Sequence, residues 1–332
     1  RNFIVSNSRN IPFFESNILG GASVINGCVH MLGSKNSWLD ILKKFERNYE
    51  DLINSYKKIY SINPKNKSKI TLSSSHQNII DNAFIETLNK NGIPKGDSNY
   101  SDFESCGPIN NTVRKFFRTS VLSTITRHKF KNCIGEVVEE FVFNGSKVVG
   151  VKTNLREIEA DYVILSGGVI GTCKLLLNEN IRLKKQGNDI LNTPTFGKDI
   201  QDHTNLRVNV LTNKNIGSLN EISDNFYQKT ILVIKHFFGK ATLMRGTGAS
   251  SSVHLDLDND GVIDTRIQVV QFSETGRHGS DGKFFSNSRP GFSLSITNIN
   301  PKSKGIIKLD KSIDVIDPMY LSSKKDIELL QL

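Results

Sequence analysis

No run of apolar residues in this 332-residue chain approaches the roughly 18 needed to cross a bilayer as a helix, so the sequence holds no candidate membrane span. It has no C-x-x-C pair either. The four cysteines, Cys28, Cys106, Cys133 and Cys173, lie far apart, which favours free buried thiols over a disulfide framework or a zinc site. No secretory leader is visible at the start, where the chain opens on Arg1, and nothing in the composition fixes a compartment. Helix-turn-helix, zinc-ligand and RNP motifs are also absent, and this bears on the charge. With 43 Lys+Arg against 33 Asp+Glu the net charge is +10. Clusters at Lys57-Lys58, Lys65 to Lys69 and Arg127-His128-Lys129 suit an acidic polymer. They lack the interleaved aromatics of a base-stacking surface, so specific nucleic-acid recognition is not expected.

Of the seven histidines, His76, His128, His236, His254 and His278 have no ligand-spaced partners, His203 reads as structural at a domain crossover, and no metal site is assigned to any of them. Asp256, Asp258, Asp260, Gly261 and Asp264 match positions 1, 3, 5, 6 and 9 of a calcium loop, but Ile267 stands where the bidentate Glu belongs. A solvated hairpin accounts for the same residues, and no metal is assigned here either.

What is present is enough chain for two domains and, at 37% hydrophobic residues, enough apolar side chains for a core. Helical spacing of apolar residues predicts a helix over Ser37 to Tyr60, and a second over Gln77 to Asn91 with Ile79, Ile80, Phe84 and Leu88 inward, closed by Gly92. Ile70 to Leu72 reads as a short strand. Glu136 to Val151 reads as two strands joined by a turn at Asn144-Gly145. Beyond His203, alternation predicts strands at Leu206 to Thr212, Ser250 to Leu257, Thr265 to Phe272, Phe292 to Asn298 and Gly305 to Leu309, forming an antiparallel sheet with one covered face. Ile231 to Phe238 reads as helical.

Four ordered segments carry the chemistry. Asn17 to Gly33 reads N-I-L-G-G-A-S-V-I-N-G-C-V-H-M-L-G, a glycine pair followed by Ala-Ser and Asn-Gly, whose backbone can lie close to a bulky anionic cofactor. Asp161 to Leu177 runs from an apolar strand through Gly167 and Gly168 into a helix, whose N-terminal N–H groups favour a phosphate or flavin oxygen. Thr195-Phe-Gly-Lys-Asp-Ile-Gln-Asp-His203 is the third, and Ser303 to Asp310 with Ile316-Asp-Pro-Met-Tyr-Leu321 is the fourth. Together they resemble the glucose-methanol-choline (GMC) oxidoreductases, the first two segments standing for that family's two signatures.

The resemblance implies an α/β plus α+β protein. An incomplete Rossmann-like FAD-binding domain would comprise residues 1–45 and 130–205. A cofactor-covering segment and a substrate domain on an antiparallel sheet would comprise 46–129 and 206–332. It implies cofactor contacts at Gly20, Gly21, Ser23, Asn26, Gly27, Cys28, Val138, Gly167 and Gly168, a helix over Val113 to Leu122, and a buried parallel strand over Asp161 to Leu165. His30 lies inside the first signature and could face the cofactor. Some members attach FAD through a histidine before the signature asparagine, but here that residue is Ile25, so FAD is expected without a covalent bond.

Other departures are Cys173 in place of proline and Glu179-Asn180-Ile181-Arg182 in place of a Ser-Gly-Ile-Gly ending. Residues 1–19 hold no G-x-G-x-x-G unit, and no segment carries the family's C-terminal catalytic His. The chain is therefore expected to be a middle portion, inactive alone, and no catalytic residue is assigned. Two functions follow from this reading. One is an FAD-dependent enzyme oxidising a small alcohol by hydride transfer, with the missing segments supplied in the same polypeptide or by a second chain. The alternative is a non-catalytic structural or assembly descendant whose basic surface contacts an acidic polymer.

Overall fold

The computed structural model describes residues 2–6, 9–13, 15–63, 65–66, 69–97, 99, 102–115, 117–125, 134–188, 191, 195–223, 225–238, 240, 242–244, 248–276, 285–286, 289–309 and 315–331. Helices among them are α1 (Lys35–Lys44), α2 (Tyr49–Ile59), α3 (Ile79–Lys90), α4 (Val121–Ile125), α5 (Gly168–Lys185), α6 (Leu219–Ser223), α7 (Phe226–Phe237) and α8 (Lys324–Leu329). None is long and apolar enough to cross a membrane. The chain divides into two compact units, residues 1–14 with 129–202 and 302–327, and residues 15–128 with 203–301 and 328–332.

Strand pairing sets these boundaries, which differ from the expected ones in two places. Residues 15–45 belong with 46–128 because Val29–His30 pairs with Asn110–Asn111, which in turn pairs with Ser73–Ser74. Residues 302–327 leave the expected substrate portion because Gly305–Lys308 is bracketed by Lys198–Ile200 and Val315–Asp317. Gly305 to Leu309 is thus a strand, as its alternation predicts, in a sheet of the other unit.

In the first unit, Val138–Asn144 and Lys147–Thr153 form the expected hairpin, with Gly145 at φ 60 in the turn, and Glu157–Glu159 adds a third strand. Helix α5 packs on the Val138–Asn144 strand. The residues that depart from the family's glycine-containing ending are what extend it. Glu179, 1% exposed, is paired with Arg182 one turn on, and Arg182 Nη2 also donates to the Phe141 carbonyl at 3.3 Å. Arg182, Lys184 and Lys185 in the last turn suit the negative end of the helix dipole. Ile170, Ile307 and Ile316 form the core, with Ile11, Cys173, Leu177 and Ile200 against it.

One expectation fails in this unit. Residues 161–166 are not a strand, and Tyr162 and Ile164 are 88% and 85% exposed. A buried parallel strand needs hydrogen-bonded neighbours and cover on both faces, and among the described residues no strand pairs with this segment.

In the second unit a five-stranded sheet runs in the order Thr204–Leu211, Gly291–Asn298, Thr265–Val270, Ala249–Leu255, Ser105–Pro108, with every neighbouring pair antiparallel. Four of these strands were legible from alternation; Ser105–Pro108 was not. Helix α3 covers one face, where Ile85 meets Cys106 and Val253 with Phe84, Leu88 and Ile267 around them. Ile79, expected inward, is exposed. Asp81 instead turns inward, held by a capping box with Asn78.

The helix expected over Ser37 to Tyr60 is broken between Lys44 and Tyr49, where Glu46 has φ 52 and Asn48 opens α2 with its own capping box. The helix expected over Val113 to Leu122 is a hairpin, Val113–Arg114 with Phe117–Arg118, turned through Lys115 at φ 56. The helix begins only at Val121.

Candidate functional site

The first signature lies in the second unit as a one-turn 3-10 helix, Gly21–Val24, entered through two left-handed glycines, Gly20 at φ 90 and Gly21 at φ 55. They do different work. A Cβ on Gly20 would lie 2.9 Å from Val24 Cγ1 and 3.0 Å from Leu122 Cβ, so this glycine is needed for packing within the protein. A Cβ on Gly21 would meet nothing within 4 Å, leaving an open face of bare backbone.

Two polar side chains expected to face a cofactor brace the loop. Ser23 Oγ donates to the Gly20 carbonyl at 2.5 Å and accepts from the Val121 N–H at 3.2 Å. Asn26 Oδ1 accepts from the Cys28 N–H at 3.0 Å and from Arg118 Nη1 at 2.6 Å, while Arg118 Nη1 also reaches the Asn26 carbonyl at 2.7 Å. Gly27 bridges Asn26 and Cys28. Cys28 is buried at φ 61, and its carbonyl accepts the Thr112 N–H at 2.8 Å. Arg118 was not legible as a partner of this loop, because 92 residues separate it from Asn26.

His30 is packed within its own unit, its Nε2 2.9 Å from the Tyr56 hydroxyl and its ring 4.4 Å from that of Tyr60. Burial lowers its pKa to about 4, so it is neutral at pH 7.

Val138, Gly167 and Gly168 lie in the first unit. Val138 opens its strand and is partly exposed. Gly167 is the N-cap of α5 with no side chain capping it, and Gly168 follows at φ 77, so the first N–H groups of an 18-residue helix have no side-chain acceptor at the cap. The second, third and fourth signature segments converge in this unit. Ile170, Cys173 and Leu177 pack on Ile307 and Ile316. The Ile307 N–H donates to the Gly197 carbonyl at 2.6 Å, and the Tyr320 hydroxyl donates to Asp202. A Cβ on Gly197 would lie 2.2 Å from the Ile307 carbonyl oxygen, so glycine is required at that crossing.

Each taken within its own unit, the uncapped N-terminus of α5 suits a phosphate and the open backbone at Gly21 suits the approach of a flat ring, and both are features that fit FAD. Ile25 is exposed and offers no nucleophile for a covalent link.

The Asp256–Asp264 loop joins two paired strands, and in it carboxylate oxygens of Asp256, Asp258 and Asp260 lie within 4.8 Å of one another while others brace the turn. Asp256 Oδ2 accepts the Gly261 N–H at 2.8 Å, Asp260 Oδ1 accepts the Val262 N–H at 2.9 Å, and Asp264 Oδ2 accepts the Leu257 N–H at 3.2 Å. Cys28 and Cys106 are free and buried, Cys173 is free and half-buried, and Cys133 and the Arg127 to Lys129 cluster lie outside the described residues.

Residues 3–205 match the family model described as GMC oxidoreductase. Among solved structures, a pyridoxine 4-oxidase from Mesorbium loti superposes with a TM-score of 0.73 at 14% identity, over 99% of this chain and 66% of that one. A point variant of the formate oxidase of Aspergillus oryzae RIB40, studied for its effect on FAD modification, gives 0.77 at 15%, over 99% and 68%. An FAD-dependent oxidoreductase from Chaetomium thermophilum gives 0.72 at 13%, over 98% and 69%. At these identities the likeness is one of fold. The chain spans about two-thirds of the length of these structures.

Proposed function

The chain belongs to the GMC oxidoreductase family, and from that premise we propose that it works as part of a flavoprotein holding FAD without a covalent bond and oxidising a small alcohol to a carbonyl. Bound flavin supplies the hydride acceptor. The backbone at Gly20 and Gly21 lies against the cofactor, with Ser23, Asn26, Gly27 and Cys28 holding the loop in shape. The N–H groups opened by Gly167 and Gly168 take a phosphate or flavin oxygen, and Val138 backs the adenine. Serving FAD is thus a role of residues within 1–45 and 130–205, a functional division that cuts across the two compact units. The observation that carries this reading is the open space at Gly21, where the backbone holds a left-handed turn that no neighbour in the protein requires to be bare.

Gly21→Val tests it: the variant should lose flavin from any flavin-bearing form of the protein, by steric overlap, while unchanged flavin content would count against the assignment. About a third of the length of the solved relatives has no counterpart here, whether that part lies in the same polypeptide or a second one. Residues 1–332 alone should therefore retain little flavin and oxidise no alcohol, since the remaining contacts must offset the cost of immobilising the ligand.

A second reading, a non-catalytic assembly protein, is favoured by the exposed Tyr162, Ile164 and Val169 together with the net charge of +10. The full reading frame separates the two. A yellow preparation bleached by an alcohol supports the enzyme, and a colourless one that assembles supports the structural protein.

A further inference from the structure

The face of the five-stranded sheet opposite α3 carries a polar row in place of an apolar one. Successive strand residues point to opposite faces, so the residues adjacent in sequence to the Cys106–Val253–Ile267 layer turn away from α3. Across the strands, Ser105, His254, Arg266, Thr297 and Asn205 stand in one register. Arg266 and His254 are direct cross-strand neighbours and line a cavity of about 460 Å³ within the second unit.

Arg266 is the anomaly of that cavity. Its Nε is buried without a hydrogen-bond partner, and Nη1 points at the Met31 sulfur at 2.9 Å, a weak acceptor. No carboxylate among the described residues pairs with it. A guanidinium stays charged when buried, and a buried charge without a counter-ion is costly. Elsewhere the protein meets that demand, as where Glu274 lies 2.9 Å from Arg207 Nη1.

The rest of the cavity describes the missing counter-ion. Trp38, Ile41, Ile263 and Ile299 make its walls largely apolar, and Ser34 and Ser37 bring hydroxyls to the first turn of α1. His254 is held near a pKa of about 4 by burial and by the neighbouring guanidinium, so at pH 7 it is neutral and Arg266 is the one formal charge on this row. Arg266 is the one lining side chain charged at every pH, with His203 also on the wall, and a planar cation in a largely apolar chamber selects a monoanion with a flat, two-oxygen head and an apolar body over a phosphate dianion.

We infer that this cavity binds a small organic monocarboxylate, its carboxylate forked on Arg266 and its apolar body against Trp38 and Ile41. The inference is independent of the flavin reading, because every residue it uses lies in one unit and its assay contains no cofactor.

The chain's single tryptophan, Trp38, lines the cavity and serves as reporter. The probe is hexanoate, titrated into the full 332-residue chain at pH 7 while Trp38 fluorescence and melting temperature are followed, with hexan-1-ol as the uncharged control. Hexanoate should give a saturable fluorescence change and a raised melting temperature; hexanol at the same concentrations should give neither. Arg266→Gln should weaken hexanoate by about tenfold or more, the loss of about 1.4 kcal/mol that one charged contact carries. An absent response to hexanoate up to about 100-fold above a micromolar-range Kd, equal responses to acid and alcohol, or undiminished binding by a folded Arg266→Gln protein each overturns the inference. Should Arg266→Gln fail to fold, the contrast between acid and alcohol in the unmodified chain decides alone.

Discussion

Asp81 is fully buried at the start of α3, and its carboxylate accepts four hydrogen bonds, one from the helix's own N-cap and three that tie the helix to the five-stranded sheet and the residue just beyond its third strand. Oδ1 accepts from Ser250 Oγ at 2.5 Å and Ser251 Oγ at 2.7 Å; Oδ2 accepts from the Asn78 N–H at 2.9 Å and from Gln271 Nε2. Asp81→Ala removes all four at once. Hydrogen bonds to a charged group contribute about 1.5–3 kcal/mol each, but they do not add, and two donors have somewhere else to go. Ser250 Oγ also sits 3.5 Å from the Val269 carbonyl, and Gln271 Nε2 keeps the His76 carbonyl at 2.9 Å. The net loss should therefore be about 3–5 kcal/mol, the range for deleting one member of a buried charged network.

Asp81→Asn should cost far less, about 1–2 kcal/mol. Its oxygen can keep Asn78 and Gln271, while its NH₂ turns toward the two serine hydroxyls, which rotate from donating to accepting. Urea unfolding followed by Trp38 fluorescence measures this directly, because Trp38 lies in the same unit as Asp81. Asp81→Ala should move the midpoint down by roughly 1–2 M. An Ala variant losing less than about 1 kcal/mol, or an Asn variant as damaged as Ala, would refute the argument that these bonds cap α3 and hold it to the sheet.

Two further predictions concern buried charge. The pKa of His254 falls from 6.5 to about 4 on folding, so between those values the unfolded chain binds a proton that the folded chain refuses. The stability contributed by the neutral ring is complete above pH 6.5 and is lost as pH falls toward 4, by up to ~3 kcal/mol. His30 adds to the same trend, so His254→Gln should make the decline of the urea midpoint over this range shallower without abolishing it; an unchanged slope would remove His254 as its source. In the first unit, Arg182→Ala leaves Glu179 buried and unpaired and frees the Phe141 carbonyl, and should destabilise by about 3–5 kcal/mol. Circular dichroism during thermal unfolding checks this, and a melting temperature within about 1 °C of the unmodified chain would contradict it.

What the sequence by itself determined is what neighbouring residues enforce on one another. Asn144-Gly145 sets a hairpin because Gly145 can take a positive φ, and Gly92 ends α3 because it sits at φ 94 just beyond the last turn. Strand alternation beyond His203 marks four members of the sheet, since a strand with one covered face repeats every two residues. The ordered glycine segments were legible as family signatures for the same reason: each is a local backbone requirement. Tertiary structure alone decided how these pieces pair and what they bury. Val113 to Leu122 was expected to be helical by family resemblance alone, and the turn at Lys115 made its first part a hairpin. Residues 161–166 read as a buried strand from their apolar run, yet a strand exists only through a neighbour's hydrogen bonds, and none among the described residues supplies them. Arg118 meets Asn26 across 92 residues, and Arg266 stands beside His254 over a cavity walled by Trp38. Such meetings are set by sheet register and chain reversal, and so is their energetic consequence, a guanidinium whose Nε is buried with no acid beside it.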